Sequence, residues 1–452
     1  DSRGCCYWCC CCTWLAVLVV ALLAMLACWQ AHNGWGFVPS GVQAWMLENP
    51  RSPFSRIVMP PVVFVEGVMG SMPTYLEKRR QSLGDSFCVA GQVVLGQRAA
   101  LEDALTSPQG RANVLGTLPL NPWHLPGCDM GGRNVFLPTL SDHPAHGNYE
   151  AFRRAVKDYM FSDETRGRQH DHTAKQLVQE LAADYRRMPN GPGGAFWTDA
   201  ASGWRPFLMR YLHHVLLDKS PDNSEHIDKF TELYFVKRSY AYYMDTPLHL
   251  NPLTLTGMPG LVDEVAAIYE ECLISMAGFR VDNKYNNLTP KEFSRLLVAM
   301  MALIVTHSTT SMIETAMGSQ ALPPYKGHGT GGIDVLEHLD ALDLTDRAAV
   351  QAFLLECTRL RPPMVTSHRV VTEPFEIAVH GHTRSFPTDT RINIPLVLGN
   401  LNTGIWGPTA YDFDSSRKGL AEHQMSFNSL GTKSAGRSCP AREMALELGT
   451  DV

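Results

Sequence analysis

The chain is short of charge. Asp, Glu, Lys and Arg make up 19% of 452 residues and leave a net charge of −6. It lacks the basic stripe that tracks a phosphate backbone, which argues against a nucleic-acid partner. The paired CxxC…CxxC spacing of a zinc site is missing, and the cysteines do not form the framework of a small secreted domain. There is no internal repeat, and no low-complexity tract outside one cysteine run. The GxGxxG match at Gly327–Gly332 follows Pro323-Pro324 and a helical stretch, not a strand, so it reads as a loop. His170-Asp171-His172 and His380-Gly381-His382 lack further ligands at metal spacing and read as solvated loops. What is present is 45% hydrophobic residues, enough for a sizeable core in one large domain or two to three ordinary ones.

Charge is wholly absent from Cys5 to Trp29. That run is long enough to span a bilayer, which takes about 20 apolar residues, and tryptophans bound its most apolar part at Trp14 and Trp29. We read residues 5–29 as one transmembrane anchor; the rival is a cleaved signal peptide. Arg3 precedes the run, while Arg51, Arg56 and Lys78-Arg79-Arg80 follow it, which orients the rest of the chain to the cytoplasm. Six cysteines lie at its start, Cys5, Cys6, Cys9, Cys10, Cys11 and Cys12. They suit S-palmitoylation, or are apolar filler at a membrane boundary.

Residues 30–60, with four prolines, read as a linker, and 61–452 as the main domain. Met72–Gly84 has helical character, and a short β run covers Phe87–Leu95. Between 98 and 330 the chain reads as mainly helical, with helices near 148–160, 173–187, 224–242 and 260–278 and a proline-rich loop over 107–145. Thr289-Pro290-Lys291-Glu292 is a capping box with proline at the first helical position. It opens a long apolar helix running towards Met317, a pattern that buries all round. Another helix, about Asp346–Leu360, stops at Pro362-Pro363. Short β pieces follow over Val370–Ile394, and a last short helix begins at Pro440. The class is mainly α with a small β-rich lobe.

Two segments carry the chemistry. Glu356-Cys357-Thr358-Arg359 places a carboxylate and a guanidinium on one helix face. Ala435-Gly436-Arg437-Ser438-Cys439-Pro440-Ala441 places one cysteine at the entry to a helix, where the helix's positive end favours a thiolate. In this order and spacing they resemble the haem-thiolate signature of the cytochrome P450 family. The family pattern is Phe-x-x-Gly-x-Arg-x-Cys-x-Gly. Arg437 and Cys439 keep register, and Ala441 stands for the last glycine. Upstream the chain departs from it: Gly436 comes one position late, Phe427 lies too far back, and Ser426–Lys433 reads as an insertion. Pro440 removes one N–H donor to the sulfur.

The resemblance implies haem b with Cys439 as the axial ligand of its iron. It implies propionate contacts from Arg437, Arg369, Arg153, Tyr149 (in place of tryptophan) and His146. It joins Arg417 to Glu356 and Arg359 in a structural network, with Ser415 where proline is usual. In the long helix, Thr309 matches the threonine that delivers protons to iron-bound dioxygen, Ser308 replaces the acid beside it, and Thr306 replaces a glycine. A hydroxyl passes a proton on but does not supply one as a carboxylic acid does. His307 reads as a core or cavity histidine before a second axial ligand.

The implied activity is a membrane-anchored monooxygenase of the endoplasmic reticulum, facing the cytoplasm. It inserts one oxygen atom into an apolar, lipid-like substrate. Electrons come from a separate NADPH-dependent reductase, since no flavin or nicotinamide domain is visible in the chain. Two other readings stand: a peroxide- or hydroperoxide-using enzyme (peroxygenase, isomerase or lyase), and a haem-binding protein without turnover.

Overall fold

The computed structural model describes residues 40–50, 52, 72–89, 91–106, 149–186, 204–218, 306–318, 333–371, 374–379, 382–388, 390–427, 438–439 and 441–452, with 267, 270, 294 and 430 singly. The apolar run 5–29, the capping box at 289–292, the helices expected at 224–242 and 260–278, the 107–145 loop and the GxGxxG match lie outside the described residues. Among the described residues no helix is long and apolar enough to cross a membrane.

Within the segment read as linker, α1 (Ser40–Glu48) buries Met46 and Leu47 and exposes Trp45. α2 (Met72–Leu83) ends one residue before Gly84. The β run expected as one piece is a hairpin of β1 (Ser86–Val89) and β2 (Gln92–Leu95). The reason is Gly91 at φ 75°, a left-handed value that glycine adopts without strain and that folds the run back on itself. β2 pairs parallel with β6 (Arg391–Pro395), and β6 antiparallel with β3 (Thr366–Val370), giving the sheet order β1-β2-β6-β3. A separate hairpin joins β4 (Phe375–Val379) to β5 (His382–Phe386).

The helical part is built from α3 (Arg98–Thr106), α4 (Tyr149–Met160), α5 (Asp163–Gln169), α6 (His172–Arg186) and α7 (Trp204–Leu217). It continues with α8 (Thr306–Ala316), α9 (Val335–Asp340) and α10 (Arg347–Leu360). Asp346 caps α10 by accepting from the Ala348 and Ala349 amides at 3.0 and 3.2 Å, and Pro362-Pro363 follow its end. Every residue from Phe353 to Leu360 is buried, so the last two turns of α10 lie wholly inside the protein. After the sheet come α11 (Leu396–Asn400), α12 (Thr403–Trp406), a 3-10 turn at Gly407–Thr409, α13 (Leu420–His423) and α14 (Arg442–Asp451). The last sixty residues therefore hold more helix than their sequence announces. α14 packs on both α8 and α10, and α8 packs on α10 and α7. Gly449 marks how closely α14 approaches: a Cβ there stands 2.9 Å from Met312 Cε of α8 and 3.0 Å from Leu354 Cδ1 of α10.

Candidate active site

The site is anchored by a buried ion pair. Glu356 and Arg359, one turn apart on α10, are both 0% exposed. Arg359 Nε and Nη2 donate to the two Glu356 oxygens, each at 2.7 Å, in a bidentate fork. Two charges out of water demand further partners. Arg359 Nη1 donates to the Asn400 and Ala410 carbonyls at 3.0 and 2.7 Å, and Nη2 to the Asp412 carbonyl at 2.9 Å. The Asp414 amide donates to Glu356 Oε1 at 2.9 Å. Arg417, fifty-eight residues beyond Arg359 in sequence, comes to 3.6 Å from Glu356 Oε1 and donates to the carbonyls of Thr409 and Asp412. The structure thus brings Glu356, Arg359 and Arg417 together. Trp406 holds both guanidinium groups at its ring, 5.4 Å from Arg359 and 5.7 Å from Arg417, a role its sequence position does not disclose.

A chain of buried polar contacts runs from this pair to the cysteine. Ser426 Oγ donates to the Thr358 carbonyl of α10 at 2.7 Å and accepts from Asn400 Nδ2 at 2.9 Å. Asn400 Oδ1 accepts from the Met425 amide at 2.6 Å. Residues 425–426 are therefore fixed to α10. The next residue is Phe427, and its carbonyl accepts the Cys439 amide at 2.8 Å. Phe427, too distant along the sequence for the usual phenylalanine, is nevertheless bonded to the cysteine's backbone. Spacing could not disclose this, because sequence distance does not measure distance in space.

Cys439 is a half-buried thiol packed against the core, just upstream of the amino end of α14. Helix α8, against which α14 packs, carries Ser308 and Thr309. Thr309 is buried. The Ser308 and Thr310 hydroxyls are buried without a hydrogen-bond partner. Inside a helix such hydroxyls often bond back to a carbonyl one turn earlier, as Thr315 does to Ser311 at 2.8 Å. Orphaned hydroxyls in a core call for an occupant beside them.

Arg369 lies on β3, buried, with Nη1 donating to Ser367 Oγ at 2.6 Å. Tyr149 opens α4 and Arg153 follows one turn on; their side chains, that of His307, and the whole of His146 and Arg437 lie outside the described residues. His170-Asp171-His172 is no loose loop. His170 ends α5, and Asp171 accepts from the Ala174 amide at 2.9 Å and pairs with His214 Nε2 at 2.8 Å. His380 and Gly381 fall outside the described residues, and among those described no cluster of three metal-ligating side chains occurs.

Solved structures show what this arrangement is similar to. Ligand-free cytochrome P450 TbtJ1 superposes with a TM-score of 0.57 at 15% identity, covering 85% of this chain and 88% of that one. The open cytochrome P450 EryK of S. erythraea gives 0.55 at 16% identity, covering 84% and 86%. CYP108D1 of Novosphingobium aromaticivorans gives 0.55 at 15% identity, covering 88% and 89%. No family sequence model and no curated protein sequence matches. The chain has the cytochrome P450 fold. That fold implies a haem, and the residues present fit one: a free, half-buried cysteine held from its backbone just before a helix, and on a helix packed against that one two buried hydroxyls without a partner.

Proposed function

We propose that the chain is a haem-thiolate monooxygenase inserting one oxygen atom into an apolar, lipid-like substrate. The observation that carries it is Cys439, fixed through Phe427 and Ser426 to the buried Glu356–Arg359 helix, with its own helix packed on the one that bears Ser308 and Thr309. Haem b, when bound, supplies the iron at which dioxygen is activated. Cys439 would ligate that iron through its sulfur. Arg437, Arg369, Arg153, Tyr149 and His146 would hold the propionates. The Thr309 hydroxyl would hold and pass a proton, with Ser308 next to it. Electrons come from a separate NADPH-dependent reductase. Residues 5–29 anchor the chain to the endoplasmic reticulum membrane with the domain facing the cytoplasm.

A second reading is favoured by one observation: Ser308 stands where an acid would supply protons, and a hydroxyl does not supply one as a carboxylic acid does. In that reading peroxide or a hydroperoxide replaces dioxygen and reductase. The deciding experiment starts with the carbon monoxide difference spectrum of the reduced protein. A red-shifted Soret band, lost in Cys439→Ala, is expected; a histidine-like or absent band overturns the haem-thiolate reading. Turnover with NADPH and reductase then supports the monooxygenase. Turnover with hydrogen peroxide alone, with reductase-driven activity arising only in Ser308→Asp, moves the assignment to peroxide chemistry.

A further inference from the structure

Arg442 is the first residue of α14, three positions after Cys439. Its guanidinium lies 5.4 Å from the centre of the Phe427 ring and donates to the Ala421 carbonyl at 3.4 Å. The Phe427 carbonyl accepts the Cys439 amide. One residue therefore contacts the cysteine through its backbone and the arginine through its ring. Half-burial disfavours the arginine's charge, while Glu443, Cys439 and Glu422 attract it. Glu443 and Glu422 are exposed, and water and salt weaken their pull. Cys439 is half-buried against the core, where attraction is screened less.

We propose that Arg442 is a positioning residue that holds a fixed positive charge beside the Cys439 sulfur, withdrawing electron density from the thiolate and raising the reduction potential of the iron it ligates. This rests on the haem-thiolate reading above. The direction follows from electrostatics: reduction of ferric to ferrous iron adds negative charge at the centre, and a nearby cation favours the more negative state. It also offsets the effect of Pro440, which removes a donor from the same sulfur.

The experiment is a spectroelectrochemical titration of the full haem-loaded chain as wild type, Arg442→Gln, Arg442→Lys and Phe427→Leu, with the carbon monoxide band recorded for each. The potential is expected to fall in Arg442→Gln, to stay near wild type in Arg442→Lys, which keeps the charge, and to fall in Phe427→Leu, which releases the guanidinium. A thiolate-type band with an unchanged potential in Arg442→Gln overturns this proposal and leaves the haem-thiolate reading intact. If Arg442→Gln does not retain haem, an unchanged potential in Phe427→Leu overturns it. A wild type without a thiolate-type band overturns both.

Discussion

Glu356, fully buried, meets two arginines and a backbone amide. The fork to Arg359 is set by geometry, since only a planar guanidinium can give two parallel bonds to a carboxylate and three more to carbonyls. Removing one charge leaves the other buried and uncompensated, at a cost of about 3–5 kcal/mol. Glu356→Gln is therefore expected to lower the unfolding free energy by about that amount. Urea denaturation of the two proteins checks it, and a loss below ~1 kcal/mol, the level of an exposed pair, would show that burial does not set its strength. This pair is legible in the sequence because three residues along a helix is a spatial statement in itself. Arg417 is not legible from spacing; it enters only through the family resemblance that joins it to Glu356 and Arg359. Phe427, Asn400 and Ser426 carry no such signal, because contacts between residues far apart in sequence depend on how the whole chain folds.

The segment at 410–412 that receives Arg359 is held from its other side by α2. Tyr411 donates to Glu77 Oε1 and accepts from Arg80 Nη2, both at 2.9 Å, while Arg80 forks onto Glu77 at 2.9 and 2.7 Å. Burial pushes the Tyr411 phenol up to about 12, with Glu77 adding to it. Burial opposes the charge on Glu77, but Arg80, Gln81 and Tyr411 outweigh it and hold the carboxyl below its ordinary value. A depressed carboxylate stabilises the fold above its unfolded value of about 4.3 and loses that contribution as pH falls through the lower folded value. Acid unfolding of Glu77→Gln should thus be less steep below about pH 4 than that of wild type, as read from ellipticity against pH; equal slopes would remove Glu77 from the account. Tyr411→Phe, which deletes two hydrogen bonds and keeps the ring, is expected to cost about 1–3 kcal/mol by thermal unfolding. The α2 helix and the 72–84 range show in the sequence; the docking of α2 on a segment more than three hundred residues away does not. The β1–β2 hairpin hides for a related reason, since one glycine at positive φ reverses a run whose side chains give no break.

Stability and site are coupled through α14, whose amino end follows Cys439 and whose carboxyl half wedges between α8 and α10 at Gly449. Gln169 Nε2 of α5 donates to Glu447 on the same helix at 3.1 Å, and Arg347 of α10 pairs with Asp451 at 2.7 Å. A larger side chain at 449 must push three helices apart, and such overpacking costs about 1–3 kcal/mol. Gly449→Val is expected to lower the melting temperature followed by ellipticity and by haem absorbance together. Haem loss well ahead of helix loss would show that the cysteine loop is stabilised independently of α14. The same architecture gives the molecule a chemical clock. Cys357 lies between the two charges of α10, fully buried, its thiol pushed well above the ordinary range by burial and by Glu356. A thiolate-seeking reagent cannot reach it while the core is closed. In the haem-free chain it should modify half-buried Cys439 early and Cys357 only at the moments when α10 opens. The lag between the two labels, read by mass spectrometry on the intact chain, would time the breathing of the interior without a probe being introduced.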